Sequence, residues 1–231
     1  MTTSGVATFD LDLLELVEEA FERCGSELRS GYDLKTARRS LNLLFADWAN
    51  RGVNLWTIKQ ASISLLPGVS NYTLPTDTVD LLEHVIRTGA GNVATQQDLT
   101  ITRISVSTYA SIPNKLQQAR PIQVYVDRAY PTPQINLWPT PDASTPYVFQ
   151  FWYLSRIQDA VQAGGNTMDV PFRFLPPMVA GLAYYLALKI PQATERLQLL
   201  KGQYDEAWQY ASDEDRDKSA VRLVPRHMYI T

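Results

Sequence analysis

The chain has 231 residues, 45% of them hydrophobic and 19% charged, with a formal net charge of −3. Those proportions supply a real core for one globular domain or two small ones, and they exclude disordered and membrane-embedded classes. The charge gives no footprint of a nucleic-acid binder, while leaving room for a protein that surrounds DNA without gripping it.

From Asp10 to Cys24 the apolar residues Leu13, Leu16, Val17, Ala20, Phe21 and Cys24 follow the three-four spacing of an amphipathic helix, which Gly25 stops. Its outer face carries Asp10, Asp12, Glu15, Glu18, Glu19 and Glu22 against Arg23, weighted toward the N-terminal end where the helix dipole favours carboxylates. Tyr32-Asp33 opens a second helix with Asp33 as the expected N-cap. Its stripe is Leu34, Ala37, Leu41, Leu44, Phe45 and Trp48, and it stops at Asn50-Arg51-Gly52. The short link between the two stripes predicts an antiparallel helical hairpin.

After Gly52 the period changes to two. Ala61, Ile63 and Leu65 alternate with Ser62 and Ser64, and Pro67-Gly68 supplies the dihedrals of a type II turn. Tyr72 and Leu74 resume the alternation until Pro75 ends the ladder or marks a sheet edge. Further strands are expected over 81–88, 99–104, 122–127, 134–138 and 147–154. The last two read as a hairpin around Pro141-Asp142-Ala143-Ser144.

Helices then return. Pro176-Pro177 suits a first helical turn, and Met178, Leu182, Tyr185 and Leu186 form one stripe. Pro191 forces a break, after which Thr194, Leu197, Leu200, Tyr204, Ala207, Trp208 and Ala211 mark a second long helix ending in a solvated acidic run, Ser212 to Asp217. Residues 218–231 hold Lys218, Arg222 and Arg226, no acidic residue and Pro225, and read as an extended arm. The fold class is therefore α+β. Terminal helix pairs (1–55 and 171–217) form one helical bundle, because neither pair can bury its stripe alone, around an inserted antiparallel β domain (56–170).

Catalytic chemistry is hard to find. His84 and His227 are the only two histidines and sit far apart, so no metal-ligand pair exists, and Glu83 beside His84 on a strand points to the opposite face. The one cysteine, Cys24, excludes an intramolecular disulfide and a paired-cysteine zinc site, and its apolar stripe makes it a core thiol. Gly164-Gly165 precedes no lysine and is a connection. The run 177–190 is broken by Tyr184, Tyr185 and Lys189 and is shorter than the roughly 20 residues of a bilayer span. Met-Thr-Thr-Ser-Gly begins no targeting segment, so synthesis in the cytoplasm is expected. Tyr147, Phe149, Phe151 and Tyr153 share one strand face, which reads as a sandwich core ahead of a sugar-stacking platform.

The helix pair, with Thr36-Ala37-Arg38-Arg39-Ser40-Leu41-Asn42 and Trp48 on its second member, runs into S-I-S-L-L-P-G-V-S-N-Y-T-L-P-T-D. This arrangement resembles the tail tubular protein A type of head-to-tail adaptor of short-tailed bacteriophages, most clearly over residues 10–90. Residues 91–170 depart most from it, being a longer β insertion. The resemblance implies a structural, non-enzymatic virion protein needing no cofactor or metal, made in the host bacterial cytoplasm. About twelve copies would form a ring joining the portal to the tail nozzle, with DNA passing through the channel without specific binding and no membrane contact. Helices would surround the channel, with β domains outside or below. Glu15, Glu18, Glu19 and Glu22 would then face the channel or a neighbouring subunit, paired there with Arg38 and Arg39. Val221, Arg222, Leu223, Val224 and Arg226 would form the arm that orders on the portal. Two other readings are a carbohydrate-binding or tail-associated adhesin module, with the β-region aromatics exposed, and a glycan hydrolase with two close carboxylates.

Overall fold

The structure, a computed structural model, describes residues 5–6, 8–52, 55–160 and 168–215. The described residues of 1–55 and 159–215 make one compact unit, and 56–158 a second. The expected arm at 218–231 lies outside the described residues.

The first unit is helical. Helix α1 (Leu13–Cys24) starts with a capping box in which Asp12 accepts from Glu15 N at 2.8 Å and Glu15 Oε2 accepts from Asp12 N at 3.2 Å. It ends at Gly25, whose φ of 76° closes the last turn. Helix α2 (Gly31–Arg51) begins one turn earlier than its sequence suggests: Ser30 is the N-cap, and Asp33 is the third helical residue answering it. Serine followed three residues later by aspartate makes the same reciprocal box, so Asp33 is part of the cap without being the cap residue.

Helices α4 (Leu175–Ala187) and α5 (Leu197–Glu214) complete the unit, α3 (Val106–Ser111) belonging to the other one. The α4 surface is buried on nearly every side, so the single stripe expected for it is too narrow; Tyr185 is only half-buried. Gly181 allows this enclosure, because a Cβ there would lie 2.9 Å from both Leu44 Cδ2 on α2 and Tyr204 Cε2 on α5. Trp48 is fully buried, with ring centroids 5.5 Å from Phe174 and 5.1 Å from Trp208, and its Nε1 donates to Tyr204 Oη at 3.0 Å. The acidic run after α5 is not wholly solvated: Asp215 is buried and accepts from Arg173 Nε at 3.0 Å.

The second unit holds two four-stranded sheets. The first has the order β1 (Ile58–Ser64), β8 (Tyr147–Ser155), β3 (Thr78–Thr88), β4 (Gln97–Thr100), all antiparallel. The second runs β2 (Asn71–Thr73), β7 (Gln134–Trp138), β6 (Gln123–Asp127), β5 (Thr102–Ile104), with β5 and β6 parallel. That parallel pair departs from the expected antiparallel pattern, and α3 lies in the connection that a parallel pair requires. The inner faces share one core, to which Leu81, Ile86, Phe149 and Phe151 contribute from the first sheet and Val124, Ile135 and Leu137 from the second.

The Pro67-Gly68 turn passes the chain from one sheet to the other. Val69 N donates to Leu66 O at 3.2 Å across it, Gly68 has a φ of 78°, and Tyr72 Oη accepts from Leu66 N at 2.8 Å. The segment after β7 makes the reverse crossing. The hairpin expected there is absent, because β7 and β8 lie in different sheets. Asp142 still folds a local turn by accepting from Ser144 N, Ser144 Oγ and Tyr147 Oη, and Gly68 N donates to Pro141 O at 2.9 Å, tying the two crossings together. Likewise the run 99–104 divides at Ile101 between two sheets.

Trp48→Ala is expected to lower the unfolding free energy of the helical unit by about 3–5 kcal/mol through the cavity it leaves. Trp48→Phe should cost about 1–3 kcal/mol by stranding the Tyr204 hydroxyl. Urea titration followed by helix signal checks both.

Candidate functional site

The chemistry-bearing residues of the sequence do not converge. Cys24 is buried, its Sγ 3.1 Å from Ala183 O, and burial pushes the thiol up to about 11 despite the nearby Arg196 charge, which makes it a core thiol. Tyr147, Phe149, Phe151 and Tyr153 are all buried in the sandwich core, so that strand face offers no sugar platform. His227 lies outside the described residues. No group of three or more His, Cys, Asp or Glu among the described residues is placed to hold a metal ion, and no described helix is long and apolar enough to cross a membrane.

His84 on β3 is half-buried, and among the described residues neither ring nitrogen meets a partner at full hydrogen-bond geometry, the Ile101 backbone being the nearby polar group. Burial lowers its pKa, the Glu83 charge opposes that and Arg103 reinforces it. Nearby, Asp80 takes both Arg103 (Nη2 to Oδ1, 2.8 Å) and Arg128, and Arg103 also donates to Leu81 O at 3.1 Å. Asp80 and Arg103 come from strands that the sequence leaves unpaired and Arg128 directly follows β6, so no spacing signal announces the cluster. It bridges β3 to the β5–β6 side of the second sheet and ties the sandwich edge.

What the helical unit does present is separated charge. On α1, Glu15 is engaged by the cap and Glu19 pairs with Arg23 at 2.8 Å. Glu18 and Glu22 are exposed and have no ion pair among the described residues. Glu15, Glu18, Glu19 and Glu22 line one side of a groove of about 480 Å³ whose apolar walls include Phe9, Leu175 and Val179. Arg38 lies half-buried in a small cleft with Leu13, Leu34 and Lys35. Arg39 is exposed on another groove, of about 390 Å³, with Tyr32, Leu186 and Lys189. Lys189 donates to Ser40 Oγ at 2.6 Å, and its pKa is lowered by burial and by the Arg39 charge. The acidic and basic residues named from the sequence thus line different grooves of one unit, and no ion pair between them is found among the described residues. The arm residues Val221, Arg222, Leu223, Val224 and Arg226 lie outside the described residues.

Because His84 has a lowered folded pKa, the unfolded chain binds its proton more readily. Its neutral form therefore contributes stability that is complete above the ordinary imidazole value of about 6.5 and declines as pH falls through and below it. Urea unfolding at pH 7.5 and pH 5.0 should show the wild type losing ground to a His84→Leu variant at the lower pH. An unchanged difference between the two proteins contradicts the assignment.

The family model described as SU10 adaptor protein matches residues 11–226 of the chain. A comparison with curated proteins finds no match.

Proposed function

The chain belongs to the SU10 adaptor protein family, a family of phage head-to-tail adaptors, and from that premise we propose that its helical unit closes a ring joining the portal to the tail nozzle and lining the DNA channel. At the coarser level the chain is a structural component of a phage virion that works with other virion components.

The observation that carries the ring is a pair of matching stripes on one unit. On α1, Leu14, Glu18 and Glu22 are exposed at four-residue spacing; on α2, Lys35, Arg39 and Leu43 are exposed at the same spacing. Each set shares a helix face. Laid antiparallel, α1 of one copy sets Leu14 against Leu43, Glu18 against Arg39 and Glu22 against Lys35 of the next. Arg38 flanks this line and Glu15 and Glu19 flank the other. Two different patches that complement each other make a heterologous contact, and such contacts generate closed rings when the rotation permits, here of about twelve copies. Carboxylates not covered by a neighbour face the channel, where they repel DNA phosphates and let the polymer slide without specific binding.

The portal is engaged by the arm, with Val221, Leu223 and Val224 as apolar contacts beside Arg222 and Arg226, and the nozzle meets the β unit. A single arm binds weakly after its ordering cost, while a ring of arms holds through effective concentration. The experiment is a charge exchange. Glu18→Arg with Glu22→Arg, or Lys35→Glu with Arg39→Glu, should each reduce rings on portal particles in negative stain by roughly tenfold. A mixture of the two variants should restore them, because each supplies a face that fits the other. Normal rings from both variants taken separately would sink the interface.

A further inference from the structure

The last described residue, Asp215, is tied to the turn that leads into one wall of the acidic groove. α5 ends at Glu214, and the next residue, Asp215, is buried in an ion pair with Arg173. Arg173 lies in the 3-10 turn Phe172–Phe174 that leads directly into α4, and the first residues of α4, Leu175 and Pro176, are walls of the groove formed with α1. Residues 216–231 therefore follow a residue paired with Arg173, which is two positions before the groove wall Leu175. Fully extended, they reach about 50 Å, far more than docking there requires.

The two surfaces are complementary. The groove offers Glu15, Glu18, Glu19 and Glu22 against Arg23, which Glu19 already engages. It also offers apolar surface, Phe9 being 68% exposed. From residue 218 onward the segment has Lys218, Arg222 and Arg226 with no acidic residue, and Val221, Leu223 and Val224 interleaved with the arginines. A segment tethered at the rim of such a groove sits at high effective concentration, so weak ion pairs and a few aliphatic contacts suffice to hold it.

We propose that in the unassembled subunit residues 218–231 lie back in the groove between α1 and α4 of their own chain. The arginines rest against the α1 carboxylates and the aliphatic side chains cover Phe9, an exposed apolar residue of the groove. The acidic face is thereby covered before a neighbour or a portal is present, and assembly exchanges this contact for others. The docking itself depends on neither the ring nor the portal, so it stands or falls on the free subunit.

The test uses the full chain, dilute and without other virion proteins, with photoreactive p-benzoylphenylalanine in place of Leu223. A mixture of unlabelled and 15N-labelled chains separates intrachain from interchain products by mass. The expected result is intrachain cross-linking to residues 9–22 and 175–179. Its yield should fall on the order of fivefold in Glu18→Gln, Glu22→Gln, where two exposed charge contacts are removed. Arg222→Gln with Arg226→Gln, a change outside the described residues, should reproduce the fall. Products scattered over other surfaces, products joining two chains, or an undiminished yield in both variants with unchanged melting would overturn the proposal.

Discussion

Trp48 is the residue through which the helical unit is closed. Its indole N–H is buried and must find an acceptor, and that acceptor is Tyr204 Oη, 156 residues away in sequence. The α2 and α5 helices cannot part without orphaning a buried donor as well as opening the ring contacts to Phe174 and Trp208. Burial drives the Tyr204 phenol up to about 12, so it stays a neutral hydroxyl able to accept this bond across the physiological range. Arg51 stacks over Trp208 at 4.8 Å and over Tyr204 at 5.4 Å, closing the solvent side of the cluster. With α2 and α5 fixed, α4 has its apolar surface enclosed, and at Gly181 even a Cβ would lie 2.9 Å from Leu44 on α2 and Tyr204 on α5.

The β unit is organised by its crossings more than by its hairpins. A strand pair joined by a tight turn needs only local chemistry, whereas a chain that changes sheet must leave one ladder, turn over the core edge and enter another with its polar backbone satisfied. The Pro67-Gly68 turn and the Pro139–Asp142 segment do this side by side. The first is closed by Tyr72 Oη on Leu66 N, and the second accepts Gly68 N through Pro141 O. Asp142 completes the arrangement, its pKa lowered by the Ser144 donors and Tyr147 Oη. The motif that carries the family resemblance is thus a sheet-changing device and contains no reactive group.

Periodicity explains what could be read without a structure. The stripe from Leu13 to Cys24 and the stripe from Ala37 to Trp48 are buried as their spacing predicts, Leu34 being only half-buried, because a helix face is fixed by its own sequence. The strict alternation over 147–153 likewise marks a core face. Alternation says that one face of a strand is covered; it does not say by which neighbour. For that reason 134–138 and 147–154 looked like partners while lying in separate sheets, and 99–104 looked like one strand while feeding two. The α3 helix has no buried residue and hence no stripe to find. Asp215 sits within an acidic run that resembles a solvated terminus, and only the fold brings Arg173 to it. The charged residues were legible as types on two helices, but their separation into two grooves follows from how α4 is placed between α1 and α2.

That separation has no use within the folded monomer. Exposed charges spread over a helix surface contribute roughly 0–1 kcal/mol as pairs, so folding stability neither requires nor opposes an acidic groove on one side and a basic one on the other. Pairing them inside the chain would have been as stable and would have left a neutral surface. Leaving them apart keeps Glu18, Glu22 and Arg39 available to whatever approaches, at strengths that a single contact cannot make permanent. Weak complementary faces are what the proposed ring needs. Subunits that meet in the wrong register separate again, and only closure, which engages every face at once, converts many small energies into a lasting assembly. The buried aromatic cluster and the α1–α4–α2 packing hold the two faces at a fixed angle to one another. In the proposed ring, rigidity at Trp48 is therefore the condition on which specificity between neighbours rests.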